Sequence, residues 1–360
     1  MSTGADTNTV PEARSLPAAV RDRLVAGAEN ADRLMDWPQA SWDAIRSAGV
    51  PGWPVPKEYG GAGLSQAETL RDGEAIATAC LTMSFILAQQ EAVVRLLMGG
   101  PEHLKERYLR GVATGELFLT VGLSHLTTSR QDRGPFLRAT PVADGGFVLD
   151  GQIPWVTGAD RADAIVIGAT LPDATQVVLI LPSGQPGATI TPPLLLSSFN
   201  GSRTSYIRYE GVTVGPELIM MGPSEQVLGK SIGAGVETSG PAIGLAAAAT
   251  AYLQSEAAGR PALADHAARF EASLAAVRKQ LYALATDSVP EGVIALRIEC
   301  SRLALRATQV ALLVAKGAGF VATHPAQRWA RQALFFLVWS NPPQVVDELL
   351  EELLPGALVN

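Results

Sequence analysis

Cysteine and histidine are scarce in this chain, at two and four of 360 residues. Cys80 and Cys300 lie far apart, each in an apolar stretch of helical pattern where a thiol packs as a small hydrophobe, so a disulfide framework is excluded. His103, His125, His266 and His324 have no metal-ligand spacing with one another or with the cysteines, which removes a structural or catalytic metal centre. Runs of basic residues are missing as well. With a formal net charge of -7 and a pI near 5.3, the chain lacks the clustered cations that a nucleic-acid backbone requires. Apolar runs are too short for a membrane span: residues 242–253 are Ala-rich, and 303–314 are interrupted by Arg306. Residues 1–11 are polar, without the apolar centre of a secretory signal, so the expectation is a cytoplasmic protein. There is no Gly-x-Ser-x-Gly elbow, no phosphate-binding loop of the P-loop type, and no Gly-x-Gly-x-x-Gly after a strand.

What the chain does contain is apolar residues, 47% of the total, against 18% charged. That balance belongs to a folded protein, and the length exceeds what one hydrophobic core usually fills. From 12 to 115 the apolar spacing is helical, as in 42–48, 70–81 and 86–97. One stretch, 51–65, is so dense in proline and glycine that it must be a structured loop. From 116 to 222 the period becomes two, with predicted strands at 117–121, 136–141, 147–150, 164–169, 176–181 and 204–209. Asp144-Gly145-Gly146, Asp150-Gly151 and Pro182-Ser183-Gly184 are turn signals between them. Beyond 223 the helical period returns, through 236–256, 265–285, 290–316 and 325–339. The expected architecture is therefore α+β: an N-terminal helical domain (12–115), a middle antiparallel β-barrel or sandwich domain (116–222) and a C-terminal four-helix bundle (223–360).

Several motifs within this frame resemble the acyl-CoA dehydrogenase family, and the likeness runs from about residue 21 to 354. Residues 54–65, PVPKEYGGAGLS, are similar to the family's P-E-Y-G-G-x-G-L-S loop. Residues 109–117, LRGVATGEL, resemble its entry into the β domain. Residues 149–159, LDGQIPWVTGA, are similar to the segment that lies beside the flavin ring. The run 325–333, PAQRWARQA, resembles the family's P-x-x-R-x-x-R-D-A, and 317–320, GAGF, its G-G-x-G-Y turn. The resemblance implies a flavoprotein oxidoreductase binding FAD and acting on an acyl thioester, carried by coenzyme A or a carrier protein. By the same resemblance Trp155 flanks the ring, Thr157 lies near its N5 edge, and Gly317 and Gly319 help hold the nucleotide end across a subunit interface. A homo-oligomer, dimer or tetramer, is implied, with a hetero-oligomer formed with a homologue as the alternative.

The departures are as informative as the matches. Ser340 falls where the family's commonest catalytic glutamate stands, and a hydroxyl is too weak a base to abstract an α-proton unaided. Gly233 falls at the second position that relatives use for that glutamate. The nearest carboxylate is Glu237, one helical turn further along, where burial in an apolar pocket would raise its pKa toward a useful range. The flavin-phosphate loop reads LSHLTTSR at 123–130, with Ser129 the best equivalent of the phosphate-binding serine and His125 a second candidate catalytic group. Ser255 stands near where an arginine would grip the pyrophosphate, with Arg260 a few residues away. Two other readings stay open: a flavin-dependent monooxygenase-type member of the same fold, and a degenerate non-catalytic subunit paired with an active homologue.

Overall fold

The computed structural model describes residues 16–127, 136–229, 235–286 and 290–354. The first helices are α1 (Ala18–Arg33), α2 (Gln39–Ser47), α3 (Gln66–Ala79), α4 (Leu81–Met98) and α5 (Glu102–Thr114). The Pro/Gly-rich stretch between α2 and α3 is the loop that its composition predicts, built from two short 3-10 turns. Gly61 is required there, because a Cβ would lie 2.0 Å from the Val55 carbonyl oxygen. The loop ends on Ser65, whose Oγ accepts from the Glu68 backbone N–H while the Glu68 carboxylate accepts from the Ser65 N–H. This reciprocal cap fixes where α3 starts.

The strands are β1 (Leu119–Gly122), β2 (Leu137–Pro141), β3 (Phe147–Val156), β4 (Ala164–Thr170), β5 (Gln176–Pro182), β6 (Ala188–Ile190), β7 (Ser205–Val214) and β8 (Ile219–Ser224), with the short helix α6 (Ser124–Thr127) after β1. They form one sheet in the order β6-β7-β3-β2-β4-β5-β8, with β1 added on β4. The expected antiparallel pairing needs one correction: β1 and β2 both meet β4 in parallel. Neither pair is a hairpin, since α6, β2 and β3 lie between β1 and β4 and β3 lies between β2 and β4, so both can run parallel. Asp144-Gly145-Gly146 turns as predicted between β2 and β3, with Gly145 at φ 87°. Asp150-Gly151 is not a turn. It is a bulge inside β3, where the register against β7 shifts, Gly151 takes φ 134°, and Asp150 Oδ1 accepts from the Gly211 N–H at 2.8 Å. An Asp-Gly pair serves a bulge for the same reason that it serves a turn, since both need a positive φ.

The remaining helices are α7 (Ser239–Gly259), α8 (Ala264–Thr286), α9 (Pro290–Ala315), α10 (Pro325–Ala333) and α11 (Pro343–Leu353). In α7, small residues and Leu70, Leu81 and Phe85 from α3 and α4 share one buried cluster with Ile243, Leu245, Leu296 and Ala304. The N-terminal and C-terminal helices are thus one continuous core. A second cluster joins Trp37, Trp42 and Phe118 to the inner faces of β2, β3 and β4. By length and composition alone, 81–98 and 292–320 could cross a membrane; here 11 residues of α4 are buried against the rest of the protein.

All three parts converge on Asp32 at the end of α1, which is fully buried. Its carboxylate accepts from Arg331 Nη2 at 2.7 Å, from Gln332 Nε2 at 2.9 Å and from the Phe199 N–H at 3.2 Å. Arg331 also donates to the Ser197 carbonyl and Ser198 Oγ, and Arg328 pairs with Glu29 at 3.1 Å. The arginine-rich run of α10 therefore acts as a clasp on α1 and on the segment before β7. An Asp32→Ala variant leaves Arg331 and Gln332 without their acceptor, so it is expected to lose about 3 kcal/mol or more in chemical denaturation, with the transition no longer two-state if the helical part separates from the sheet.

Candidate active site

Charged residues are rare on α4, whose only ones are Glu91 and Arg95. At i and i+4 they share a helix face. Opposite them is Glu237, in the 3-10 turn Val236–Thr238 that leads into α7. Arg95 Nε lies 3.4 Å from Glu237 Oε1, and the same oxygen accepts from Gln66 Nε2, in the first turn of α3, at 2.7 Å. The apolar surroundings expected of Glu237 are thus replaced by a guanidinium and an amide, which arrive because α3 and α4 pack on α7.

Glu91 has no hydrogen bond or ion pair within bonding distance among the described residues, although it feels both Arg95 and Glu237. It is half-buried. Desolvation raises its pKa to about 7, with Arg95 opposing the rise and the negative charge of Glu237 adding to it. Sequence reasoning missed Glu91 and Arg95, although two opposite charges four apart inside an apolar helix were a legible signal.

Ser340 sits in the turn that follows α10, at φ 51°, a left-handed conformation that few side chains adopt. Arg297 of α9, itself 3% exposed, holds that turn: its guanidinium donates to the Trp339 carbonyl and, at 3.0 Å, to Asn341 Oδ1. Asn341 Nδ2 in turn donates to the Phe336 carbonyl at 2.9 Å. Burial lowers the Arg297 pKa to about 10, and the negative charge of Glu237 partly offsets the shift. Beside the turn, Phe85, Phe199, Phe335 and Trp339 form a packed aromatic group, with Phe335 and Trp339 stacked at 5.3 Å. Arg297 thus ties the Ser340 turn to α9 and feels the negative charge of Glu237.

His125 does not join them. It lies on α6, where Nε2 donates to the Gly168 carbonyl of β4 at 2.8 Å and the ring meets Phe136 edge-on at 5.8 Å. With Nε2 protonated, Nδ1 is the acceptor, and it is buried with no partner among the described residues. Burial lowers the pKa to about 4, against the small opposing effect of the Gly168 bond. The imidazole is neutral at physiological pH. Ser129 and Gly233 lie outside the described residues.

The predicted flavin neighbourhood is on β3 and the segment after it. Trp155 stands at φ 60° and is 48% exposed, which is unusual for the largest apolar side chain. Tyr206 of β7 flanks it, ring centroids 6.1 Å apart and planes 39° apart. Behind this face Thr157 is buried, its Oγ1 3.3 Å from Thr204 Oγ1, which is 2.9 Å from Ser202 Oγ; the Thr157 carbonyl accepts from Thr120 Oγ1 at 2.7 Å. A planar heteroaromatic ring could lie against the exposed Trp155 indole, with hydrogen-bonded hydroxyls on the neighbouring backbone.

The phosphate end fits less well. Gly317 is exposed with open space at its Cβ position, whereas Gly319 is buried and a Cβ there would come within 2.7 Å of Ala315 Cβ. Gly319 thus has a packing role in its own turn. Phe320 is 81% exposed beside them. Arg260 is already committed, to Glu256 and, at 3.1 Å, to the Val314 carbonyl at the end of α9. An arginine that caps a helix C-terminus in this way is not available to a pyrophosphate on the same face.

The sequence profile of the acyl-CoA dehydrogenase N-terminal domain matches residues 13–116. A probable acyl-CoA dehydrogenase of Bacillus subtilis is 26% identical over 340 residues, covering 87% of this chain and 89% of the relative. A mitochondrial isovaleryl-CoA dehydrogenase of Solanum tuberosum is 26% identical over 369 residues, covering 92% and 86%. The structure of butyryl-CoA dehydrogenase from Megasphaera elsdenii superposes with a TM-score of 0.82 at 19% identity, over 94% of this chain and 95% of that one. Residues 13–116 thus match an acyl-CoA dehydrogenase N-terminal domain, and over most of its length the chain is similar to acyl-CoA dehydrogenases, whose fold it shares.

His125 gives a pH signature. In the unfolded chain its imidazole protonates near 6.5, while the folded protein keeps it neutral until about pH 4. Its contribution to stability is therefore present above about pH 6.5 and lost as the pH falls toward 4. The difference in melting temperature between the parent and His125→Gln should shrink over that window; a constant difference would show that the ring is not desolvated.

Proposed function

We propose that this protein is an FAD-dependent oxidoreductase that removes a proton and a hydride from neighbouring carbons of an acyl thioester, carried by coenzyme A or a carrier protein. The observation that supports it most is the half-exposed Trp155, with Tyr206 tilted beside it, on the sheet in the segment that resembles the family's ring-binding one. When bound, the flavin supplies a two-electron acceptor for hydride. The chain's own residues have three tasks. Trp155 and Tyr206 flank the ring, the hydroxyl chain of Thr157, Thr204 and Ser202 stiffens the backbone behind it, and the charged group around Glu237 receives the proton.

Glu237 is the proposed proton-handling centre because its negative charge is felt by Arg297, which holds the turn carrying Ser340, and no basic side chain pairs with Ser340 among the described residues. The exposed apolar side chains of Leu313, Phe320 and Val321 around the Gly317 turn support an oligomer, in which a second copy covers them. A hydroxyl at 340 also favours a second reading, in which reduced flavin serves oxygen activation and no α-proton need be removed.

Anaerobic mixing separates the two. Rapid loss of the oxidised flavin absorbance on adding a panel of acyl-CoA thioesters is the result expected here. Oxygen uptake that depends on supplied reduced flavin, without bleaching by any thioester, would replace the dehydrogenase reading by the oxygenase one.

A further inference from the structure

Along the end of β3 and the segment after it, residues 153, 154 and 156–159 are all buried, and Trp155 alone protrudes. Regular alternation cannot produce this, because residues 153, 155 and 157 of an unbroken strand share one face. Ile153 is fully buried and Thr157 nearly so, and an indole on their face would point inward with them. Two features turn it out instead. Between the pairs Ile153↔Ile207 and Val156↔Ser205, β3 takes three steps against two along β7, which is a bulge. Within that bulge Trp155 adopts φ 60°, the left-handed region that a bulky side chain rarely occupies. Such backbone persists only where its surroundings hold it. Here the Thr120 hydroxyl of β1 donates to the Thr157 carbonyl at 2.7 Å, and the Gly158 N–H donates to the Ser202 carbonyl at 2.7 Å. Gly158 itself, at φ 61°, has no room for a Cβ, which would lie 2.7 Å from the Phe118 ring. Thr120, Thr157 and Ser202 are all buried.

We propose that Thr120 is a positioning residue of the flavin site: through the Thr157 carbonyl it holds the left-handed backbone that turns the Trp155 indole outward, so the face against which the ring lies is formed before the cofactor arrives. The role rests on the flavoprotein reading above, in which Trp155 flanks the ring. Thr120 reaches this backbone from outside the β3–β7 pair, since β1 is hydrogen-bonded to β4. Without its hydroxyl the Thr157 carbonyl is left in a buried place with no donor from β1, and residue 155 is free to return to extended backbone. The indole then loses its fixed direction. Apparent affinity for the flavin falls with the fraction of molecules that still present it.

Titration of the full chain with FAD, in the parent and in four variants, tests this. Thr120→Val removes the donor with almost no change of shape, Thr120→Ser keeps it, and Trp155→Leu removes the indole, alone or together with Thr120→Val. The valine variant should bind FAD roughly three- to tenfold more weakly than the parent, the worth of one hydrogen bond. The serine variant should bind close to the parent. In Trp155→Leu protein the further change Thr120→Val should alter affinity little, because the residue through which Thr120 acts is gone. An equal loss in both backgrounds, or a valine variant that binds as tightly as the parent, overturns the role while leaving the flavoprotein reading intact. A second measurement needs no change at Thr120 and no cofactor, and so serves if the valine variant does not fold. Trp155→Gly should melt at a higher temperature than Trp155→Ala, since glycine takes a positive φ without a Cβ to clash. The reverse order, usual inside a strand, overturns the held conformation on which the role depends. Failure of the parent to bind FAD at all instead refutes the reading beneath it.

Discussion

The buried carboxylate of Asp32 is the constraint on which the arrangement depends. A charge with no solvent contact must be met by donors, and here they come from α10 and from the segment before β7 at once. The three meeting points belong to the first helix, the sheet and the last part of the chain. The segment they secure carries Phe199 and Arg203 in left-handed conformations, with Arg203 itself held by Asp160. Gly201 between them is pressed against Ala31, where a Cβ would sit 2.7 Å from the carbonyl oxygen. Such backbone persists only where surrounding contacts over-determine it.

With the parts fixed in this way, the site follows from what each element carries. The sheet presents Trp155 and Tyr206, α4 presents Glu91 and Arg95, the turn before α7 presents Glu237, and α9 holds the Ser340 turn through Arg297. None of these elements is close to another in sequence. The electrostatics follow from the same geometry: Arg95 pairs with Glu237, and both charges act on the half-buried Glu91.

Much of the fold was legible in residue pattern. The helical periods of α3, α4, α7 and α9, the breaker-rich loop ending in Ser65, and the β-rich runs from β1 to β5 all follow from local chemistry that the structure keeps, although β4 and β5 are buried almost throughout rather than on alternate residues. What failed was pairing and short edges. The three residues of β6 are too few to show alternation, and Pro223 inside β8 argues against a strand. Asp150-Gly151 signalled a positive φ correctly but not whether a turn or a bulge would use it. At the site, motif position led to Glu237, Trp155 and Ser340, yet the partners Gln66, Arg95 and Arg297 are 171, 142 and 60 residues from Glu237 in the chain. No local pattern encodes such neighbours.

The central claim is that the aromatic face on the sheet holds a flavin. Titrating the purified protein with FAD and recording the visible absorption spectrum after removal of free cofactor tests it most directly. The account predicts a retained flavin spectrum with resolved shoulders, together with quenching of Trp155 fluorescence that a Trp155→Leu variant lacks. Protein that comes through the same procedure colourless, with its tryptophan emission unchanged, would contradict it.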